Sequence, residues 1–145
     1  MSAVIWNPIN SQADIERLLT LFGGFHDGCL RGAHVWTEHY VNSDLSMKCT
    51  GDLDTRIRLL IQRQFKEPSA IELLFEQVIT FHLQTSAENY DSIIFDATML
   101  KDGDIFYWAD ILTIGRQKVP RVTILLGLQQ RNYHGETQAI GWARS

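Results

Sequence analysis

The sequence predicts an α+β fold in which one N-terminal helix is followed by seven or eight mostly antiparallel strands, arranged as a curved sheet or a two-layer sandwich. Three observations support this prediction. Helical spacing of apolar residues is confined to residues 12–22, two-residue alternation recurs from residue 29 onward, and clusters of turn-forming residues separate the alternating segments. Because 145 residues is close to the common size of one domain, we expect residues 1–145 to form a single domain.

The helix is predicted from its start and stop signals. Ser11 and Asp14 have the spacing of a capping box, although Asp replaces the more usual Glu or Gln. Gly23 and Gly24 are expected to end the helix, because glycine readily adopts the left-handed conformation of a helix C-terminus. The apolar positions between these signals fall on one helical face: Ile15, Leu18, Leu19 and Phe22.

Alternation predicts a hairpin in the middle of the chain, with a turn at residues 66–69. Before the turn, the odd-numbered positions are mostly apolar: Leu53, Thr55, Ile57, Leu59, Ile61 and Phe65. The even-numbered positions include the polar residues Arg56, Arg58, Gln62 and Gln64. After the turn, the odd parity holds Ile71, Leu73, Phe75, Ile79, Phe81 and Leu83. If both odd faces are buried, odd residues pair with odd, for example Phe65 with Ile71. Glu72 and Glu76 then lie beside the arginines.

An earlier turn is predicted at residues 42–44. It separates a strand-like segment at residues 29–40 from an alternating triplet of apolar residues, Leu45, Met47 and Cys49. Cys29 and Cys49 have no CxxC spacing, and we expect both to pack as small, reduced hydrophobic residues.

Composition and charge argue against several classes of protein. The formal net charge is −4 and the pI is about 5.7, which disfavours a nucleic-acid-binding protein because such proteins gather Lys and Arg against phosphates. No stretch approaches the roughly 20 apolar residues of a membrane helix. The first eleven residues lack the charged-then-apolar order of a signal peptide, so we expect a cytoplasmic protein that does not bind membranes.

The sequence Phe25-His26-Asp27 stands between the helix and the first strand. A histidine beside a carboxylate is suited to general base catalysis or to metal binding, and His26 and Asp27 are therefore candidate binding residues. The structural alternative is that Asp27 accepts backbone N–H bonds at this corner while His26 packs under the helix. A pocket near the corner, with His34 also at its mouth, would favour a ligand-binding protein or an enzyme.

Four aspartates surround a predicted tight hairpin turn at Asp102-Gly103: Asp96, Asp102, Asp104 and Asp110. Tyr107 and Trp108 follow closely in the sequence. An acidic surface flanked by aromatic residues is suited to binding a basic protein, so Asp102, Asp104, Tyr107 and Trp108 are the other candidate binding residues. The alternative is a solvated hairpin tip without function.

No motif for nucleotide binding, nucleophilic catalysis or a histidine-based metal site is present in the sequence. On a straight strand His34 and Glu38 share a face and His39 faces away, and two ligands are too few for zinc, which takes three or four protein ligands. We therefore expect no catalytic residue, no metal and no cofactor.

The helix that ends in Gly23-Gly24, the Phe25-His26-Asp27 corner and the strands after it resemble a group of small bacterial proteins with an "FHD" corner. The sequence Leu73-Leu74-Phe75 followed by Val78 is similar to the strand pair of that group, and the resemblance spans residues 11–84. Some members are immunity proteins of polymorphic toxin systems and others are uncharacterised. The resemblance implies no catalytic role for the corner.

These observations predict a non-enzymatic protein-binding module, with an immunity protein that neutralises a toxin as one cellular role. The alternative is a small-ligand-binding protein or an enzyme with a pocket near His26 and Asp27. A structural subunit of a homo-oligomer is the third hypothesis.

Overall fold

The computed structural model describes residues 5–49, 51, 53–84, 93–95, 97–103, 105–114, 116–127 and 140–144. One α-helix, α1 (Gln12–Leu21), is followed by a 3₁₀ turn at Gly23–Phe25. Eight strands in these ranges have five or more residues: β2 (Gly28–Trp36), β5 (Arg56–Arg63), β6 (Ala70–Phe75), β7 (Val78–Leu83), β9 (Ala97–Asp102), β10 (Ile105–Ile114), β11 (Gln117–Gly127) and β12 (Ile140–Arg144). Four more have two residues: β1 (Asn7–Pro8), β3 (Tyr40–Val41), β4 (Met47–Lys48) and β8 (Ile93–Ile94). The predicted α+β class, with one helix and antiparallel strands, is confirmed.

The start of α1 is the predicted capping box. The Ser11 hydroxyl accepts a hydrogen bond from the Asp14 backbone N–H at 3.2 Å, and the Asp14 carboxylate accepts one from the Ser11 backbone N–H at 3.1 Å. The Asn10 backbone N–H and the Arg17 guanidinium also donate to Asp14. These bonds, that from Asn10 most of all, lower the pKa of Asp14 to about 2.

The end of α1 lies at Leu21, one residue before the predicted end. Gly23 and Gly24 adopt left-handed φ values of 61° and 64°, as expected for a helix stop. Arg63 donates from Nη2 to the Leu21 carbonyl at 3.2 Å, and its guanidinium lies 4.4 Å from the centre of the Phe22 ring. A cation at this position stabilises the negative end of the helix dipole.

The strands form three sheets. The prediction of one curved sheet is therefore wrong. The six-stranded sheet has the order β1-β12-β6-β5-β2-β8, the four-stranded sheet has the order β7-β11-β10-β9, and β3 pairs with β4. The chain leaves the first sheet for the second between β6 and β7. Gln77 there has a φ of 56°, and the Val78 N–H donates to the Thr55 carbonyl at 3.0 Å.

This change of sheet shifts the alternation of buried residues. Val78 is buried, whereas Ile79 is 50% exposed and Leu83 is 49% exposed. The prediction that Ile79 and Leu83 continue the buried odd face of β6 is therefore wrong, because the left-handed residue between the strands interrupts the two-residue repeat.

The central hairpin pairs odd residues with odd ones, as predicted. The buried pairs are Ile57–Phe75, Leu59–Leu73 and Ile61–Ile71. The specific pair of Phe65 with Ile71 is wrong, because residues 64–69 form a longer connection that the Arg63 N–H closes by donating to the Ser69 carbonyl at 2.8 Å. Phe65 lies in this connection and is 61% exposed.

The charges along the hairpin follow the prediction in part. Arg56 Nε lies 3.5 Å from a Glu76 carboxylate oxygen. Glu72 pairs directly with Leu60 across the ladder and not with an arginine, and the register differs by four residues from the predicted one.

One buried cluster joins α1, the six-stranded sheet and the four-stranded sheet. Its aromatic centre contains Phe22 after the helix, Phe75 on β6 and Trp108 on β10, with Phe25 between them. The ring centre of Phe25 lies 5.3 Å from that of Phe22 and 5.9 Å from that of Trp108. The ring centres of Trp108 and Phe75 are 6.4 Å apart. Edge-to-face contacts of this kind add to the burial of the rings.

Replacement of Asp14 by Ala is expected to lower the free energy of unfolding by about 1 kcal/mol at pH 7, because the capping box is lost. The folded-state pKa of about 2 lies below the ordinary value of 3.8, so the stabilisation is present at neutral pH and is lost as the pH falls towards 2. Urea unfolding at pH 7 and at pH 3 should therefore give a smaller difference between wild type and Asp14→Ala at the lower pH. Glu16→Ala on the same helix is the control, and a difference independent of pH would contradict this account.

Candidate functional site

The corner before β2 is a left-handed turn held by one aromatic side chain. Gly23, Gly24 and Phe25 all have φ values between 61° and 64°. For a residue with a side chain, this conformation is destabilising by roughly 1–2 kcal/mol. The Phe25 ring is completely buried against Phe22 and Trp108, and burial of a phenylalanine contributes about 1.5–3 kcal/mol before the ring contacts are counted. Burial therefore outweighs the backbone strain.

His26 and Asp27 lie on the outside of this corner, with side chains 60% and 61% exposed. His26 Nδ1 is 2.6 Å from the Phe95 carbonyl oxygen, to which it donates, and His26 Nε2 is 3.6 Å from an Asp27 carboxylate oxygen. The Asp27 backbone N–H donates to the Ile94 carbonyl at 3.0 Å. The prediction that His26 packs under the helix is wrong, because Phe25 occupies the buried position. In the described part of the chain, no backbone N–H donates to the Asp27 carboxylate.

Gly28 completes the corner by allowing two chain segments to approach closely. A Cβ atom at this position would lie 3.0 Å from the Phe25 carbonyl oxygen and 3.4 Å from the Gln62 carbonyl oxygen. No side chain fits there without movement of the backbone. The close approach of the backbone therefore explains the glycine at position 28.

Cys29 and Cys49 are both free and exposed. The prediction that they pack as small hydrophobic residues is wrong. Cys29 follows the buried Gly28 on β2, and alternation along the strand directs it to the opposite face of the sheet.

A shallow depression of about 600 Å³ lies beside the corner. It is lined by Asp27, Cys29, Gln62, Arg63, Gln64, Ser69 and Ile93. Of the three residues predicted at the mouth of a pocket, only Asp27 lines this depression. His34 lies instead on β2, with its ring centre 5.0 Å from that of Trp36.

The predicted hairpin turn at Asp102-Gly103 is confirmed, because Asp102 pairs directly with Ile105 and Gly103 has a φ of 58°. Asp102 is exposed and Tyr107 is half-buried. Asp96 and Asp104 lie outside the described residues.

Two residues assigned to the acidic surface lie in the interior. Trp108 is 1% exposed and Asp110 is 4% exposed, so the prediction that they contribute to an acidic, aromatic surface is wrong. Both have even numbers on β10, whose even-numbered side chains from Phe106 to Asp110 are buried.

A second exposed feature is the separate hairpin of β3 and β4, which lies in the chain between β2 and β5. We call residues 37–49 the arm. Every residue of the arm is exposed, and within the described part of the chain its strands β3 and β4 pair only with each other. Its large apolar side chains are Tyr40 (49% exposed), Val41 (57%), Leu45 (84%) and Met47 (72%).

The turn of the arm is fixed by a set of local hydrogen bonds. The Asn42 N–H donates to the Ser46 carbonyl at 2.8 Å, and the Leu45 N–H donates to the Asn42 carbonyl at 2.9 Å. The Asp44 carboxylate accepts from the Ser46 hydroxyl at 2.5 Å and from its N–H at 2.9 Å. These two bonds, the hydroxyl first, hold the pKa of Asp44 below its usual range. Its carboxylate is therefore ionised at neutral pH.

The base of the arm is fixed by charged groups. His39 Nε2 lies 2.9 Å from an Asp54 carboxylate oxygen, and the Glu38 N–H donates to the same carboxylate at 3.3 Å. The Arg56 guanidinium contacts both Glu38 and Glu76. The arm is therefore attached to the six-stranded sheet through several side chains and not only through the chain itself.

The two faces of the arm differ in chemistry. Tyr40 lies opposite Lys48, whose ammonium is 5.4 Å from the centre of the tyrosine ring. Val41 lies opposite Met47 on the other face, and Leu45 occupies the turn with a φ of 68°. The sequence predicted the turn and the alternation but not the exposure. Exposure depends on distant elements, and among the described residues no third strand pairs with β3 or β4.

Comparison of the chain with protein-family models, with curated proteins and with solved structures found no match. In the described ranges, no helix is long and apolar enough to cross a membrane. The same residues contain no group of three or more His, Cys, Asp or Glu side chains arranged to hold a metal ion.

Replacement of Phe25 by Ala is expected to lower the free energy of unfolding by about 3–5 kcal/mol, because it leaves a cavity in the aromatic centre. Phe65→Ala is the matched control, since Phe65 is 61% exposed, and should lower it by less than about 1 kcal/mol. Urea unfolding followed by circular dichroism measures both. Equal losses for the two variants would show that the corner does not depend on Phe25.

Proposed function

We propose that this chain is a non-enzymatic, cytoplasmic protein-binding module that recognises a basic protein partner, with neutralisation of a bacterial toxin as its cellular role. The single observation that carries the proposal is the arm, which presents four exposed apolar side chains on a fixed frame. Single apolar residues scattered over a surface need no explanation. Val41, Met47 and Leu45 instead lie together at the end of one hairpin, and clustered exposed apolar side chains are characteristic of binding sites.

The energetics of the arm support this interpretation. A two-stranded hairpin without a third strand or a covering layer is at best marginally stable. Polar residues at Leu45 and Met47 would preserve the turn and the pairing while reducing the risk of aggregation. Large apolar side chains at these positions are therefore better explained by a partner that covers them than by the stability of the fold.

Charge and resemblance indicate the class of partner. The net charge of −4 favours association with a positively charged protein, since complementary charge accelerates encounter. The resemblance of the Phe25-His26-Asp27 corner to a group that includes immunity proteins supports the same class. Toxins that act on nucleic acids usually present basic clefts.

A small-ligand-binding protein is the second candidate function, and the depression beside the corner favours it. Its volume of about 600 Å³ is within the range of ligand sites, and its lining combines the Asp27 carboxylate with the Arg63 guanidinium. Arg63 already donates to two backbone carbonyls, so part of its hydrogen-bonding capacity is used by the fold.

The double variant Leu45→Asn, Met47→Thr is expected to lose the partner while it keeps the fold. Asn tolerates the left-handed conformation of residue 45, and Thr is suited to a strand. Loss of two buried apolar side chains should weaken binding by at least about 100-fold. The measurement is purification of the tagged chain from host lysate at low salt, followed by titration of the co-purified protein against wild type and variant.

The matched control is Ile79→Thr, Leu83→Thr on β7, where two large apolar side chains outside the arm are also exposed, by 50% and 49%. Retention of the partner by the control and its loss by the arm variant is the expected result. Equal affinities for both variants would contradict a role for the arm. If no protein co-purifies with wild type, protein binding is excluded under these conditions, and a thermal-shift screen of metabolites would test the depression.

Reversal of Asp102 to Lys is expected to slow association with the basic partner several-fold at low salt and to leave the dissociation rate nearly unchanged. Glu16→Lys on α1 is the matched reversal, because it changes the net charge by the same amount at another place. Stopped-flow association at two salt concentrations measures the effect. Equal slowing by both variants would assign the effect to net charge, and no slowing by Asp102→Lys would refute a role for this hairpin tip.

A further inference from the structure

The arm is exposed on both faces and at its turn, which restricts the shape of any surface that covers it. Val41 and Met47 lie on one face, Tyr40 lies on the other, and Leu45 lies at the turn. A flat partner surface would cover only one of these faces. A cleft that receives the hairpin turn first would cover both faces and the turn together.

A second copy of this chain is a poor occupant for two reasons. Two arms packed face to face would bring together only Val41, Met47 and Leu45 from each copy, whereas a stable interface buries about 1,600 Å² in total. Each copy also has a net charge of −4, so the copies repel each other over longer distances.

The Asp44 carboxylate adds a requirement for charge. It lies in the turn, next to Leu45 in the chain, and it is held in place by the two bonds from Ser46. An ionised carboxylate that enters an apolar cleft is strongly destabilising unless it meets a cation there. A cleft suited to the arm therefore has an apolar wall and a Lys or Arg side chain where the turn arrives.

The hydrogen bonds and charged-group contacts that hold the arm reduce the conformational entropy that is lost on binding. The turn is fixed by four backbone and side-chain hydrogen bonds, and the base is fixed by the His39–Asp54 and Arg56–Glu38 pairs. A hairpin that is already ordered loses less conformational freedom on binding than a flexible loop of the same length.

We propose that the arm inserts, turn first, into a concave apolar cleft of a basic protein partner, in which a cationic side chain of the partner receives the Asp44 carboxylate. This inference rests on the proposed function and adds the binding element, the shape of the partner surface and the position of its charge.

The experiment places the photo-crosslinking residue p-benzoylphenylalanine at single positions of the full chain: Tyr40, Leu45 and Met47 on the arm, and Phe65 and Ile79 as exposed apolar controls outside it. Each protein is irradiated in host lysate, and the crosslinked peptides are identified by mass spectrometry. The expected result is that all three arm positions crosslink to one protein, at residues around a single concavity with Lys or Arg next to the residues that crosslink to position 45, and that the controls do not. Capture of a protein without this pattern does not support the proposal.

Several outcomes would overturn the insertion of the arm. Crosslinks from one face only indicate a flat surface, crosslinks to a second copy indicate a homo-oligomer, and crosslinks to lipid indicate a membrane surface. Crosslinks from Phe65 or Ile79 alone would overturn insertion while protein binding stands. No protein crosslink from any position would overturn the proposed function itself.

Asp44→Asn tests the charge separately from the shape, because the Asn side chain can still accept the hydrogen bonds from Ser46. We expect affinity for the crosslinked partner to fall about tenfold or more, as an ionic hydrogen bond is replaced by a neutral one. Asp54→Asn at the base is not a suitable control because it disturbs the contacts that hold the arm, so Glu16→Gln on the exposed side of α1 is used. Unchanged affinity for Asp44→Asn would overturn the cationic site.

Discussion

The packing of Phe25 between Phe22 and Trp108 is the interaction on which the arrangement of the other elements depends. Phe22 follows the only helix in the described residues, and Trp108 belongs to the four-stranded sheet and also contacts Phe75 of the six-stranded sheet. Phe25 and Trp108 together therefore link three parts of the fold. The left-handed backbone of the corner persists because its side chain is completely buried, and Gly28 allows the next strand to begin directly against it.

The corner precedes β2 and the arm follows it, so the two features lie at opposite ends of the β2–β5 pair. β2 leaves the corner at Gly28, pairs with β5 up to Trp36, and continues into the arm, and the return strand ends at Arg63. Arg63 binds the end of α1, so the hairpin is fixed at the helix end and exposed at the other. A rigid scaffold that carries an exposed hairpin is a common basis for binding, since the scaffold limits the motion of the contact residues.

Local features of the sequence were sufficient to predict several elements of the fold. Ser11 and Asp14 specified the start of α1, because a capping box involves residues only three positions apart. The Asp102-Gly103 turn was predictable for the same reason. The pairing of odd residues in the central hairpin followed from alternation, but the register did not. The connection at residues 64–69 is longer than the turn that the sequence suggested, and Phe65 is therefore exposed.

The sequence by itself determined which residues share a face of a strand or a helix, because side-chain direction repeats with the local backbone geometry. Only the tertiary structure decided whether that face is covered. Leu45 and Met47 alternate in the same way as Leu59 and Ile61, yet the first pair is exposed and the second is buried. The difference arises from distant elements: the four-stranded sheet and α1 cover β5 but do not extend over the arm. Burial is a non-local property, and the exposed surface on which the proposed function rests could not be predicted from spacing alone.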